Sequence, residues 1–160
     1  MEVEMKINRL ILDQMTNMPV VELKDEASDT LLPIWVGLPE ANAIALEIEK
    51  VSTPRPMTHD LLKNLLVGLD AVVQKVVVTE LRDDIFFAVI WLDRDGHTIS
   101  IDARPSDALA LALRVDCPIF VEEEVLKCSR GLGETEPVSS EDMKKWLENL
   151  GEDDMGRYKM

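Results

Sequence analysis

The chain has 160 residues, of which 46% are hydrophobic, and carries a formal net charge of -14 at pH 7. A chain of this length fits one domain, which buries roughly 68–70% of its unfolded surface without help from disulfides or metals. A negative field of this size repels nucleic acid at long range, although it suits divalent cations. No leader and no run of ~18 apolar residues indicates export or a membrane partner. We therefore expect a cytoplasmic protein with reduced Cys117 and Cys128.

Three strands are predicted in the first part of the chain. Apolar and polar residues alternate from Val3 to Ile7, and the alternation changes after Asn8-Arg9, which predicts a bulge. Short strands follow at Val20 to Leu23 and at Leu31 to Val36. Pro33 removes a ladder donor, so the third strand is expected at a sheet edge or at a bulge.

Two helices complete this first unit. Pro39 suits the first turn of a helix that starts after Gly37, because its missing N–H costs nothing there. Thr58 is the expected N-cap of a second helix, from His59 to about Leu69. The leucines of this helix are expected to face inward: Leu61, Leu62, Leu65, Leu66 and Leu69.

The second unit starts near residue 70. Strands are predicted at Val72 to Leu81, at Ile85 to Leu92 and at Thr98 to Ala103, and the middle one is apolar on both faces and therefore central. Arg104-Pro105 opens a third helix, and Gly131 is expected to end a fourth.

The third helix is apolar nearly all round, and this favours burial on most of its sides. A homodimer is the simplest way to cover such a surface, and burial within one domain is the alternative. Residues 134–160 are expected to form an acidic linker and a short C-terminal helix with Met143, Trp146, Leu147 and Leu150. This appendage would dock on the body or on a partner.

A constant offset of 65 residues relates the two units. It brings Ala108 to Leu111 onto Ala43 to Leu46, and Ile99 and Ile101 onto Ile34 and Val36. One offset without a gap is typical of duplication. We therefore predict an α+β domain over residues 1–133, built from β3α2 units at 3–68 and 68–133 that share one strongly curved mixed sheet.

Polar residues that suit catalysis cluster at the predicted helix starts, where free N–H groups favour anions. Those selected as candidates are His59, Asp60 and Asp107 for catalysis, Arg55, Arg104 and Ser106 for phosphate, and Asp60, Asp102 and Asp107 for Mg²⁺ or Mn²⁺. Each has a simpler interpretation. The carboxylates would stabilise helix dipoles, Arg104 would pair with Asp102, and His59 would point to solvent.

Three segments in order resemble the bifunctional nuclease domain family. They are LPIWVGLPEANAIALEIE, RPMTHDLL and IDARPSDALALALR followed by CPIFV, and the resemblance covers roughly residues 1 to 130. It implies a duplicated α+β fold with one barrel-like sheet. The resemblance also implies cleavage of DNA and RNA, the activity after which the family is named. It does not indicate which residues are catalytic.

Two functional hypotheses from different classes follow. The first is a metal-assisted nuclease of low sequence specificity. The second is a non-enzymatic regulatory module whose helix-start pocket binds an anionic metabolite or a partner protein.

Overall fold

The computed structural model describes residues 1–129, which form an α+β domain with one mixed sheet and flanking helices. The strands are β1 (Glu2–Leu12), β2 (Pro19–Lys24), β3 (Leu31–Trp35), β4 (Val72–Arg82), β5 (Ile85–Arg94), β6 (His97–Ala103) and β7 (Ile119–Glu122). The helices are α1 (Leu38–Ile48), α2 (Thr58–Gly68), α3 (Pro105–Val115) and α4 (Glu123–Cys128). The predicted α+β class with a mixed sheet is confirmed.

The sheet has the strand order β3-β2-β1-β7-β4-β5-β6. Two antiparallel three-stranded meanders are joined by β7, which runs antiparallel to β1 and parallel to β4. Among the described residues β3 and β6 each have one neighbouring strand, so the sheet is open. The barrel-like closure implied by the resemblance is therefore not found.

The two halves share the order of a meander followed by a helix, but they differ afterwards. The second half inserts β7 between its helices, whereas the 65-residue offset places these residues on 54–57, which form no strand in the first half. The predicted three strands and two helices thus describe the first half, and the second half has four strands. Duplication itself stays a prediction. The fourth helix ends at Cys128, before the predicted stop at Gly131. Gly131, the linker and the C-terminal helix lie outside the described residues.

Local backbone features follow the sequence closely. The pairing of β1 with β2 shifts register between Ile7 and Arg9, at the predicted bulge. Pro33 lies in β3, which is an edge strand, and β5 lies between β4 and β6 as its apolar composition indicates. These outcomes depend on one or two residues each, and so the sequence suffices to predict them.

Helix α3 is the centre of the core. Its residues Ala108 to Ala112 are buried by contacts with α1, α2, β4 and β5. The domain thus covers by itself the surface for which the sequence suggested a dimer. No helix within residues 1–129 has the length and apolar character needed to cross a bilayer.

Helix α2 departs from the prediction. It packs on α3, and its leucines lie largely outside the core: Leu61 and Leu65 are each 52% exposed and Leu69 is 55% exposed. Leu66 alone of the five is half-buried against the core. Periodicity alone predicts that the apolar side of such a helix faces the core. In this fold α3 already occupies the core, and α2 packs on α3 from outside.

A buried arginine ties the helices together. The Arg114 side chain is only 2% exposed, and its Nε donates to Asp60 Oδ1 of α2 at 2.7 Å. Its remaining nitrogens donate to the carbonyl oxygens of Ala110, within α3, and of Ala43, in α1. One guanidinium therefore connects three helices whose residues are far apart in sequence.

We expect Arg114→Leu to lower the free energy of unfolding by about 3–5 kcal/mol, because it leaves the Asp60 carboxylate and two carbonyl groups without their buried donor. The matched control is Arg94→Leu at an exposed position at the end of β5, with an expected change within about 0.5 kcal/mol. Urea unfolding of both variants measures the difference. Equal losses would show that Arg114 does not hold the helices together.

Candidate functional site

The starts of helices α1, α2 and α3 meet at one cluster of charged side chains. Arg104, the N-cap residue of α3, donates to Glu40 Oε1 at 2.7 Å and to Asp107 Oδ2 at 2.8 Å. The other oxygen of Asp107, Oδ1, lies 2.8 Å from Nε2 of His59 in α2. Asp107 thus connects a histidine to an arginine, and we call these four residues the Asp107 cluster.

His59 does not point to solvent, contrary to the sequence expectation. It is 6% exposed, because the first turn of α2 packs on α3 and turns the imidazole toward Asp107. An ionised carboxylate only accepts hydrogen bonds, so Nε2 donates to Asp107 and Nδ1 is left as the basic ring nitrogen. The contact has the geometry with which a carboxylate holds histidine in hydrolases.

Arg104 pairs with Glu40 and Asp107 rather than with Asp102. Hydrogen bonds to Glu40 and then to Asp107 raise the pKa of the guanidinium, so it stays charged. Its side chain is nevertheless 65% exposed, whereas that of Glu40 is 14% exposed. A Cβ at Gly37 would collide with the Glu40 carboxylate, so glycine keeps the space that this carboxylate needs. The guanidinium is therefore positioned and still open to an anion.

Asp60 lies behind His59 and supports the fold. Its Oδ2 accepts from the backbone N–H of Met57, the N-cap residue of α2, at 2.9 Å, and its Oδ1 accepts from Arg114. Helix α2 thus starts at Thr58, which is not the cap that the sequence predicted. Burial opposes ionisation of Asp60, but the bonds from Met57 and Arg114 outweigh it and lower the pKa of the carboxyl.

Of the three predicted metal ligands, Asp102 and Asp107 line one groove, and Asp60 lies outside it. Asp60 is bound to Arg114, and Asp107 is shared by His59 and Arg104. A guanidinium already lies between Glu40 and Asp107, at the position where two carboxylates would hold a cation. Across residues 1–129 no group of three or more His, Cys, Asp or Glu side chains could hold a metal ion. The residues present therefore do not fit a divalent cation.

The remaining candidates lie at different distances from the cluster. Asp102, in β6, contributes to a groove beside it. Arg55 is exposed in the connector before α2, and Ser106 is 7% exposed in the first turn of α3. Asn42, in α1, is 6% exposed, and its Oδ1 accepts no hydrogen bond within the described chain. Arg55 and Ser106 thus do not join the Asp107 cluster.

Two cavities open on either side of the cluster and share Thr58, His59, Arg104 and Asp107. One, of about 410 Å³, is lined by the start of α1, including Glu40 and Asn42, and by Met57. The other is a groove of about 690 Å³ between α2 and strands β5 and β6. The paired charges therefore lie between two largely apolar cavities, so a ligand with an anionic centre and apolar flanks fits this geometry.

A family model described as a bifunctional nuclease domain matches residues 21–131 of this chain. The chain belongs to the bifunctional nuclease domain family. It is 43% identical over 123 residues to an uncharacterized protein of Mycobacterium tuberculosis (strain ATCC 25618 / H37Rv), covering 77% of this chain and 73% of that protein.

Plant proteins with nuclease names are also similar to this family member. Bifunctional nuclease 1 of Oryza sativa subsp. japonica is 30% identical over 125 residues, and Bifunctional nuclease 2 of the same plant is 32% identical over 124 residues. These matches cover 76% and 75% of this chain but only 38% of each plant protein. The shared part is therefore the domain, and the rest of the plant chains has no counterpart in the match.

Sequence reasoning found His59, Arg104 and Asp107 but missed two partners. Glu40 was not among the selected candidates, and it binds Arg104 across 64 residues of sequence. The burial of Arg114 could have been predicted from its spacing in the sequence. Arg114 follows Ala110 by four residues, so both lie on the same apolar side of α3. A charge on a buried helical side needs a partner, and this indicates a buried ion pair.

We expect Asp60→Asn to destabilise the protein at neutral pH and to matter less in acid. A folded-state pKa below the usual 3.8 means that the ionised carboxylate contributes stability above that value, which is lost as the pH falls through the lower pKa. The stability difference from wild type should therefore shrink below about pH 3.8. Urea unfolding at several pH values tests this, with Asp116→Asn at the exposed end of α3 as the control. A pH-independent difference would contradict it.

Proposed function

We propose that this chain is a nuclease of low sequence specificity that hydrolyses phosphodiester bonds of DNA and RNA at the Asp107 cluster. The observation that carries the proposal is the 2.8 Å contact from His59 to Asp107, because it orients a recessed imidazole beside an exposed arginine. Membership of the bifunctional nuclease domain family supports it.

His59 moves the proton in this mechanism. Its Nδ1 accepts a proton from a water molecule as the water oxygen bonds to phosphorus. The phosphorus–oxygen bond to the leaving nucleotide breaks on the opposite side of phosphorus, so the leaving oxygen takes a proton from solvent water and the imidazolium returns its proton to solvent. Asp107 holds the ring and stabilises its charged form. General acid–base catalysis of this kind contributes roughly 10²–10⁴-fold.

Arg104 donates hydrogen bonds to the phosphate. Its guanidinium has five donors and spends some of them on Glu40 and Asp107, so the exposed remainder can bind phosphate oxygens. A local cation is needed because the net charge of the chain is -14 and repels a polyanion. Arg55, exposed before α2, is proposed to contact a neighbouring phosphate. Asp60, Asp102 and Ser106 have no part in this mechanism.

A second candidate function is that of a cytoplasmic binding protein, which binds a small anionic ligand and does not convert it. The unpartnered Oδ1 of Asn42 favours it, because a buried acceptor without a donor costs about 1–3 kcal/mol and a ligand N–H could satisfy it. Asn42 lines the cavity on the α1 side of the cluster. This function predicts stabilisation by the ligand and no cleavage.

We expect purified wild type to cleave DNA and RNA oligonucleotides and His59→Gln to lose at least roughly 10²-fold in rate, since the general base is removed. The matched control is His97→Gln, at an exposed position next to the β5–β6 turn, which should keep the wild-type rate. Melting temperatures of both variants separate loss of chemistry from loss of folding.

Two results would contradict the mechanism. If His59→Gln, folded, cleaves as fast as His97→Gln, His59 is not the base. If EDTA abolishes cleavage by wild type, a divalent cation takes part, as the sequence hypothesis for Asp60, Asp102 and Asp107 supposed. We expect cleavage to persist in EDTA, because the carboxylates of the cluster are bound to Arg104, Arg114 and His59. Absence of any cleavage with Mg²⁺ or Mn²⁺ would favour the binding function.

A further inference from the structure

One side of the domain exposes an apolar surface beside a sheet edge. Leu62, Leu65 and Leu69 of α2 are 39%, 52% and 55% exposed, and Ile99 and Ile101 of β6 are 37% and 43% exposed. Leu62, Leu65 and Ile101 line the groove between α2 and the sheet. We call these five residues the α2–β6 face. Grouped exposure of large apolar side chains marks an interaction site.

The two sheet edges are protected very differently. Strand β3 has five residues and contains Pro33, which lacks a donor and so discourages further pairing. Strand β6 has seven residues, contains neither proline nor lysine, and pairs with β5 from Ala103 to His97 without a register shift. A long and regular edge without such protection is a template for another strand.

We propose that a second copy of this chain covers the α2–β6 face, with β6 of each copy pairing antiparallel about a two-fold axis at Ser100. The sheet would then continue from one protomer into its partner, and the apolar sides of the two α2 helices would be buried. A two-fold arrangement needs a self-complementary surface, and β6 provides one.

The charges of β6 permit this pairing in a strongly acidic protein. Centring on Ser100 places Ile99 opposite the partner's Ile101, and Thr98 opposite the partner's Asp102. No two carboxylates face each other, since Asp102 is the one acidic residue of β6. Like charges directly opposite would oppose association, whereas apolar and β-branched pairs favour it. The paired strands therefore contain one carboxylate from each protomer, and each lies opposite a threonine.

The second copy would also complete the candidate site. The groove beside the α2–β6 face ends at His59, Arg104 and Asp107, and β6 leads directly into Arg104. In one protomer this groove is open to solvent on the side of the sheet edge. The partner would supply the missing wall of the groove. The association itself does not depend on the proposed nuclease activity.

Light scattering of the full chain tests the association. We expect wild type to have twice the protomer mass of 18.0 kDa at micromolar concentration. Leu65→Asp and Ile101→Asp should each give monomers, because each buries a charge in the contact. Ile85→Asp is the matched control, since Ile85 is 59% exposed at the start of β5 and lies outside the face. It should remain dimeric.

Oxidative cross-linking tests the register, because the two-fold axis places Ser100 next to its own copy. Ser100→Cys should form a disulfide-linked dimer on a non-reducing gel, whereas Ser52→Cys, exposed in the α1–α2 connector, should not. Wild type controls for Cys117 and Cys128.

Monomeric wild type would overturn the proposal. A maleimide would then test whether the β6 edge of the monomer is accessible. A Ser100→Cys thiol that does not react would mean that residues 130–160 of the same chain, and not a second copy, cover the face. A dimer that survives both Leu65→Asp and Ile101→Asp, or that links through Ser52→Cys and not Ser100→Cys, would place the contact elsewhere and also overturn it.

Discussion

The buried guanidinium of Arg114 is the constraint on which the arrangement of the helices depends. A cation that is 2% exposed is tolerated only when its donors are satisfied, and Asp60, Ala43 and Ala110 satisfy them. These partners lie on α2, α1 and α3. Because Asp60 also accepts from the N-cap residue of α2, the same carboxylate fixes where α2 starts. The position of His59, one residue before Asp60, follows from this contact.

In the charged cluster at the helix starts, His59 and Arg104 between them bind two carboxylates, those of Asp107 and Glu40. Asp107 divides its oxygens between His59 and Arg104, and Glu40 takes a second donor of Arg104. This sharing leaves little carboxylate charge for a metal ion, and it keeps an exposed guanidinium ready for an anion. In a chain of net charge -14 the exposed N–H groups of Arg104 are local hydrogen-bond donors for an anion, because Glu40 and Asp107 already balance the charge of the guanidinium.

Helix α2 links the candidate site to the surface. Its first turn holds His59 against α3, and the turns that follow carry exposed leucines along a groove that ends at the cluster. The same helix therefore holds a residue of the candidate site at one end and carries exposed apolar side chains along its length. Any partner that covers the leucines also changes the access of water and substrate to His59, which couples association to the chemistry proposed for the site.

The features that depend on neighbouring residues could be predicted from the sequence. Alternation located the strands, Pro33 indicated an edge, and the alanines and leucines after Pro105 indicated a buried α3. It also brought His59, Arg104 and Asp107 into one candidate set. The packing of the helices determines which partners these residues have, that Asp60 binds Arg114 across 54 residues, and that α2 faces outward. Neighbouring residues in the sequence do not contain this information. Periodicity identifies the apolar side of a helix. Whether that side is buried depends on whether other helices already occupy the core.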